Sequence, residues 1–189
     1  MKPRILPLFL LLVVWPAGLP AQEARALPQA LTLADRPLVL NGKATRTVWG
    51  FPVYQVGLFL EEPSNDPQAI MQTNRGPKRV QMVMLRSVEK EKFVATVREN
   101  IEQNLTAEEQ KRFASELKSF LGHLQSGGDL DHGRIITIDY LPQRGTVLGL
   151  DGARIATIEG DDFYHLMLRL WIGRPLQASI KEGLLGRAN

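Results

Sequence analysis

The sequence predicts an α+β fold built on a mostly antiparallel sheet. Three observations carry that reading. Segments with two-residue alternation and turn signals come first, two helical stretches with apolar stripes follow, and then the order repeats as strands and helices. Separate runs of strands and helices, rather than strict alternation, argue against a parallel sheet with crossover helices.

Each element has a local cause. "LTLADRPLVLNGKATRTVWG" (31–50) alternates apolar and polar residues, and "NGK" at Asn41–Lys43 supplies a hairpin-turn signal inside it. "VYQVGLFLEE" (53–62) is a strand closed by the turn-rich "EPSNDP", with Gly57 marking a bulge or a close backbone approach. "RVQMVMLRSV" (79–88) is the next strand, after the "RGP" breaker. In "EKEKFVATVRENIEQNL" (89–105), Phe93, Val94, Val97, Ile101 and Leu105 form one helical stripe. A second helix over 106–125 opens with a capping box, Thr106 to Glu109. "RIITIDYL", "GTVLGL" and "ARIATI" are three further strands, the last two joined by a hairpin turn at Asp151–Gly152. A helix over 161–172 stops at Gly173, and a short closing helix begins at Pro175.

The first 21 residues read as an export signal. Lys2 and Arg4 precede an apolar run, Ile5 to Val14, too short to span a bilayer, and Pro16, Gly18 and Pro20 break it. Cleavage is expected after Ala21, with Ala26 as the second choice, leaving one domain over 27–189 with no membrane span. The chain has no cysteine, which excludes a lipid-anchored leader, disulfides and thiolate metal sites and favours a bacterial periplasm. Setting aside Lys2 and Arg4 leaves 21 basic against 20 acidic residues, a charge of +1. With the basic residues interspersed, nucleic acid is not an expected partner.

The three histidines are the usual first candidates for chemistry. His123 falls opposite its helix's apolar stripe, His165 shares a polar face with Asp162 and Arg169, and His132 lies in a loop, so each reads as a solvated residue. Asp129, Asp131 and His132 form a weak metal signal without a distant partner, and no phosphate-binding loop or nucleophile elbow is present. No cofactor is expected. Asn100 and Asn104 lie at the edge of the apolar stripe, where an amide either bonds backbone or faces a ligand. Arg46 shares a strand face with Ala44 and Val48; on the inside it would need a carboxylate, from the protein or a ligand.

"LNGKATRTVWGFPVYQVGLFLE" (40–61), the phenylalanine–asparagine spacing from Phe93 to Asn100, and "LRLWIGRPLQASIKEGLLG" (168–186) together resemble the chalcone isomerase-like family, and its exported bacterial branch in particular. The resemblance implies an open-faced β-sandwich, a large antiparallel sheet with helices packed on one face. It also implies a set of cleft residues. The arginine of plant chalcone isomerases falls on Arg46 and the asparagine on Asn100. The tyrosine becomes Phe93, the strand lysine Met84, one threonine Tyr54 and the late-helix threonine Leu170.

Phe93, Met84 and Leu170 have no hydrogen bond to donate, and losing one oxyanion donor costs on the order of 100-fold. The expected activity is therefore not plant-type cyclisation. The resemblance implies instead a non-enzymatic binder of a fatty acid or similar amphipathic carboxylate, its head group on Arg46 and its tail among the apolar positions. Plant relatives that retain the arginine are known as fatty-acid-binding proteins. Two other readings stand beside it: an isomerase or lyase on a phenolic or enone substrate, and a structural or assembly protein with a vestigial cleft.

Overall fold

The structure is a computed structural model, and it describes residues 26–72 and 76–187. The expected leader, residues 1–21, lies outside the described residues. Seven strands, β1 (Ala30–Leu33), β2 (Arg36–Val48), β3 (Phe51–Leu60), β4 (Lys78–Met84), β5 (Ile135–Leu141), β6 (Gly145–Leu150) and β7 (Ala153–Ile158), form one antiparallel sheet in sequence order. Among the described residues, six helices accompany them: α1 (Pro67–Ile70), α2 (Lys90–Asn104), α3 (Ala107–Arg112), α4 (Ala114–Ser126), α5 (Asp161–Ile172) and α6 (Ala178–Leu184).

The main core lies between one sheet face and the helices. Val56, Leu58, Met82, Ile136, Ile138 and Leu148 meet Ile101, Phe120, Met167, Leu170 and Ile180 there. A smaller cluster on Leu27, Leu33, Leu38, Phe59 and Val83 covers part of the opposite face. The expected α+β class with helices packed on one sheet face is therefore observed. Among the described residues, no helix is long and apolar enough to cross a membrane.

Three expectations need correction. Asn41–Lys43 is not a turn: β2 runs straight through it, with Asn41 as the extra residue of a bulge between Leu40 and Gly42. The Asn41 side chain accepts from the Ser64 N–H at 2.7 Å and donates to the Leu184 carbonyl at 2.7 Å. Gly42 is needed for another reason, since a Cβ there would stand 2.2 Å from the Gly183 carbonyl oxygen. The turns lie instead at Ala34–Asp35 and Trp49–Gly50, each with two successive positive φ angles.

The helix expected over 106–125 is two, α3 and α4, divided at Phe113, whose φ of −104° and ψ of 24° leave the helical region. Its capping box is present as expected, Thr106 Oγ1 accepting from Glu109 N and Glu109 Oε2 from Thr106 N. The closing helix starts after Gln177 rather than at Pro175. Gly57 sits in regular pairing, and its role is close approach: a Cβ would meet Leu40 and Leu27 at 2.9 and 3.0 Å.

Candidate functional site

A cross-strand row starts the site. Arg46 on β2 stands opposite Tyr54 on β3, and Tyr54 stands opposite Met84 on β4. The adjacent row, Ala44, Val56 and Met82, faces the same helices. Between Arg46 and Thr47 the ladder slips, leaving Val53 as an extra residue on β3. Such a bulge bends the strand and re-aims neighbouring side chains.

Against this rim the helices enclose a slot of about 110 Å³. Arg46, Tyr54, Phe93, Asn100 and Leu170 all line it, so five of the six expected residues converge. Met84 does not. It is fully buried in the core, while Met82, one row away, forms the wall. Trp171 and Ile180 complete the apolar lining from α5 and α6.

Sequence reasoning missed Gln177, which fixes the arginine. Its Oε1 accepts from Arg46 Nη1 at 3.2 Å, Thr47 N at 2.9 Å and Thr47 Oγ1 at 3.3 Å. Its Nε2 donates to the Thr45 carbonyl at 3.1 Å. A glutamine just before a short helix carries no sequence signal for this task. Arg46 Nη1 also donates to the Thr47 carbonyl at 3.1 Å, leaving Nε and Nη2 without a hydrogen bond to described residues. Among the described residues, no carboxylate comes within ion-pair distance of Arg46. Asp139, one candidate partner, instead holds Arg79 through two bonds of 2.6 and 2.7 Å.

The Tyr54 hydroxyl likewise makes no hydrogen bond to described residues. Burial pushes its pKa up to about 12, against a smaller opposing pull from Arg46. The phenol is thus a donor, not a base, near neutral pH.

The asparagines divide differently. Asn100 Nδ2 donates to the Leu170 carbonyl at 3.0 Å, and its Oδ1 accepts from Asn104 at 2.9 Å, while its side chain still borders the slot. Asn104 clamps the end of α5: Oδ1 accepts from Arg174 N at 2.8 Å and Nδ2 donates to the Arg174 carbonyl at 2.8 Å. Backbone holding, not ligand contact, is the role of Asn104.

Of the histidines, His132 is exposed and His123 half-buried with Nδ1 on the Ser119 carbonyl. His165 is not the solvated residue expected. It packs edge-on against Tyr140 and Tyr164, and Lys78 Nζ lies 3.5 Å from its Nε2. A larger open depression of about 670 Å³ lies among Arg36, Glu61, Ile70 and Lys78, crossed by an Arg36–Glu61 ion pair of 2.7 Å. Its arginine is already paired, which makes it the weaker anion site.

The comparisons with known proteins agree with this architecture. A search of curated proteins found no match. Among solved structures, a fatty-acid binding protein of Arabidopsis thaliana superposes with a TM-score of 0.64 at 12% identity, covering 84% of this chain and 90% of that one. The chalcone isomerase-like family profile matches residues 21–186, which spans every described strand and helix, and the chain belongs to that family.

Proposed function

We propose that this chain is a non-enzymatic binder of a fatty acid or similar amphipathic carboxylate, acting after export to the periplasm. One observation carries the reading: Arg46 borders an apolar slot and, among the described residues, its Nε and Nη2 are uncommitted and no carboxylate lies within ion-pair distance. A guanidinium with two free donors in one plane matches a carboxylate, and the Tyr54 hydroxyl can add a third donor. Phe93, Met82, Leu170 and Trp171 then receive the tail. The Arabidopsis fatty-acid binding protein of the same fold supports the ligand class.

At about 110 Å³ the slot is smaller than the roughly 300 Å³ at which ligand pockets usually begin. It takes a short acyl segment as it stands, and a longer tail requires side chains such as Phe93 to rotate aside. Native mass spectrometry on protein recovered from the periplasm, beside Arg46→Ala, tests the reading. An acidic lipid carried by the wild type and missing from the variant is the expected result. A wild type that is empty and also refuses added fatty acids of any chain length would end it.

A further inference from the structure

The β2–β3 hairpin ends in an apolar tip that the core does not use. Trp49 is 94% exposed, Phe51 63%, Val48 40% and, beside them, Leu85 36%. These are the four exposed large hydrophobic residues among the described residues. The tip also overhangs the sheet. β4 reaches the hairpin only as far as Tyr54–Met84 and a 2.9 Å bond from Leu85 N to the Val53 carbonyl. On the other side, β1 pairs with β2 no further than Val39. The last two residues before the turn therefore project by about 7 Å with no strand on either side.

The turn is costly in its choice of residue. Trp49 and Gly50 have φ of 50° and 81°, the two positive values a two-residue primed turn demands. Asn, Asp or Gly fills the first such position at little strain, whereas a bulky side chain there is an outlier. A strained tryptophan held in solvent is poor design for stability alone, and strain of this kind marks function.

The two segments that build the tip carry charge of one sign. No carboxylate occurs from Lys43 to Leu60 or from Lys78 to Val88. Arg46 lies within the hairpin, and the Arg86 guanidinium sits 5.9 Å from the Phe51 ring centre. Of the acids near these segments, Glu61 pairs with Arg36 at 2.7 Å, Glu89 pairs with Lys92 at 3.0 Å, and Asp131 accepts from the Ser87 hydroxyl at 3.3 Å. Val48 belongs both to the tip and to the wall of the slot, and Val53 lines the slot next to it. The projecting tip and the opening that holds Arg46 are one continuous surface.

We propose that this tip seats the protein on an anionic lipid bilayer, with Trp49 and Phe51 in the interface and Arg86 against phosphate. Aromatic rings flanked by basic residues suit that depth, and a convex two-residue tip suits a fluid surface. Resting on the carboxylate-binding reading above, the arrangement lets an acidic lipid pass between bilayer and slot without crossing water.

The test uses protein processed by the host, with its N-terminus shown to lie past Trp15. It is mixed with vesicles of phosphatidylcholine, with or without phosphatidylglycerol. Trp49 and the buried Trp171 are then the two indoles, so a blue shift with quenching by brominated lipid reports Trp49. The wild type is expected to partition onto vesicles, more tightly with phosphatidylglycerol. Trp49→Ala combined with Phe51→Ala should weaken partition about tenfold or more, since most of the inserted apolar surface is removed. Trp49→Asn is the second variant. It should raise the melting temperature by relieving the turn while losing vesicle binding, a pairing that a purely structural Trp49 would not give. A wild type that ignores vesicles, or variants that bind as well as it does, overturns the inference. Uptake of fatty acid from vesicle-free solution is measured alongside. Vesicle binding without uptake ends the carrier reading alone, and uptake without vesicle binding ends the anchoring alone.

Discussion

Arg46 and Tyr54 face each other across the β2–β3 ladder, next to a bulge at Val53, and both present unused donors to the same apolar slot. Gln177 holds the guanidinium from below without neutralising it. Among the described residues, no carboxylate lies within ion-pair distance of that guanidinium.

Replacing Arg46 with alanine should therefore weaken carboxylate binding by on the order of 10- to 100-fold, the worth of a charge-assisted hydrogen bond. Arg46→Lys should recover only part, because an ammonium lacks the planar fork. Fluorescent fatty-acid displacement reads both, and equal affinity in all three proteins would disprove a role for Arg46.

Tyr54→Phe separates binding from stability. Tyr54 is half-buried and its hydroxyl has no hydrogen-bond partner among the described residues, so its removal should leave the unfolding free energy unchanged or raised by up to about 1 kcal/mol. Acid affinity should drop about tenfold or more, the worth of a hydrogen bond donated to an ionised carboxylate. A marked loss of stability in urea would show that Tyr54 is bonded within the protein.

Asn104→Ala should be among the most damaging polar substitutions. It strips the Arg174 N–H and carbonyl of their partner at the end of α5 and frees Asn100, at about 2–4 kcal/mol. The urea midpoint measures it, and a shift worth less than about 1 kcal/mol contradicts the clamp.

Gly42→Ala should fail through overlap rather than flexibility. Its new methyl would run into the Gly183 and Leu184 carbonyls of α6, both backbone, at a cost of about 2–3 kcal/mol. Thermal melting checks the size. Since α6 leads back to Gln177, ligand affinity should fall as well.

His165 predicts a pH dependence. Its Nδ1 lies 2.7 Å from the Asp161 carbonyl and so carries the proton, which leaves Nε2 to accept from Lys78. Burial, with Lys78 adding to it, lowers the folded pKa below the ordinary 6.5, outweighing the bond to Asp161. The unfolded chain then binds the proton first as pH falls. Stability should be full above 6.5 and decline below it until the folded pKa is reached. His165→Gln should flatten that decline in urea titrations at pH 7 and pH 5.5, and an unchanged slope would rule His165 out as its source.

What the sequence disclosed follows physical lines. Alternation and helical stripes located the strand-forming stretches and the longer helices, because burial enforces both periods, but β1 and β2 read as one stretch broken at Asn41–Lys43 rather than at Ala34–Asp35. Turn chemistry misled where tertiary contact outweighed it. Asn41–Gly42 has a hairpin composition, but α6 requires a bulge and a bare backbone there. Trp49–Gly50 makes the real turn with a residue that local preference disfavours. The site was legible through Arg46, Tyr54, Phe93, Asn100 and Leu170, whose order along the chain resembles the family's. Met84 was placed one cross-strand row from the true wall residue, Met82, because the link from β4 to α2 does not reveal register. Gln177 was invisible, since its partners lie 130–132 residues away.

That separation has a kinetic meaning. Every strand of the sheet pairs only with its neighbours along the chain, so apart from β4–β5, which closes over residues 85–134, the sheet can zip up through short loop closures. The contacts of α6 with β2 are of the opposite kind, spanning nearly the whole domain. Loop closure over that distance is slow and late. A nascent chain can therefore complete its scaffold before the arginine is held in place, and the capacity to bind arrives only when the last helix docks. Removal of the chain from Gln177 onward should therefore release Arg46 and leave the slot idle.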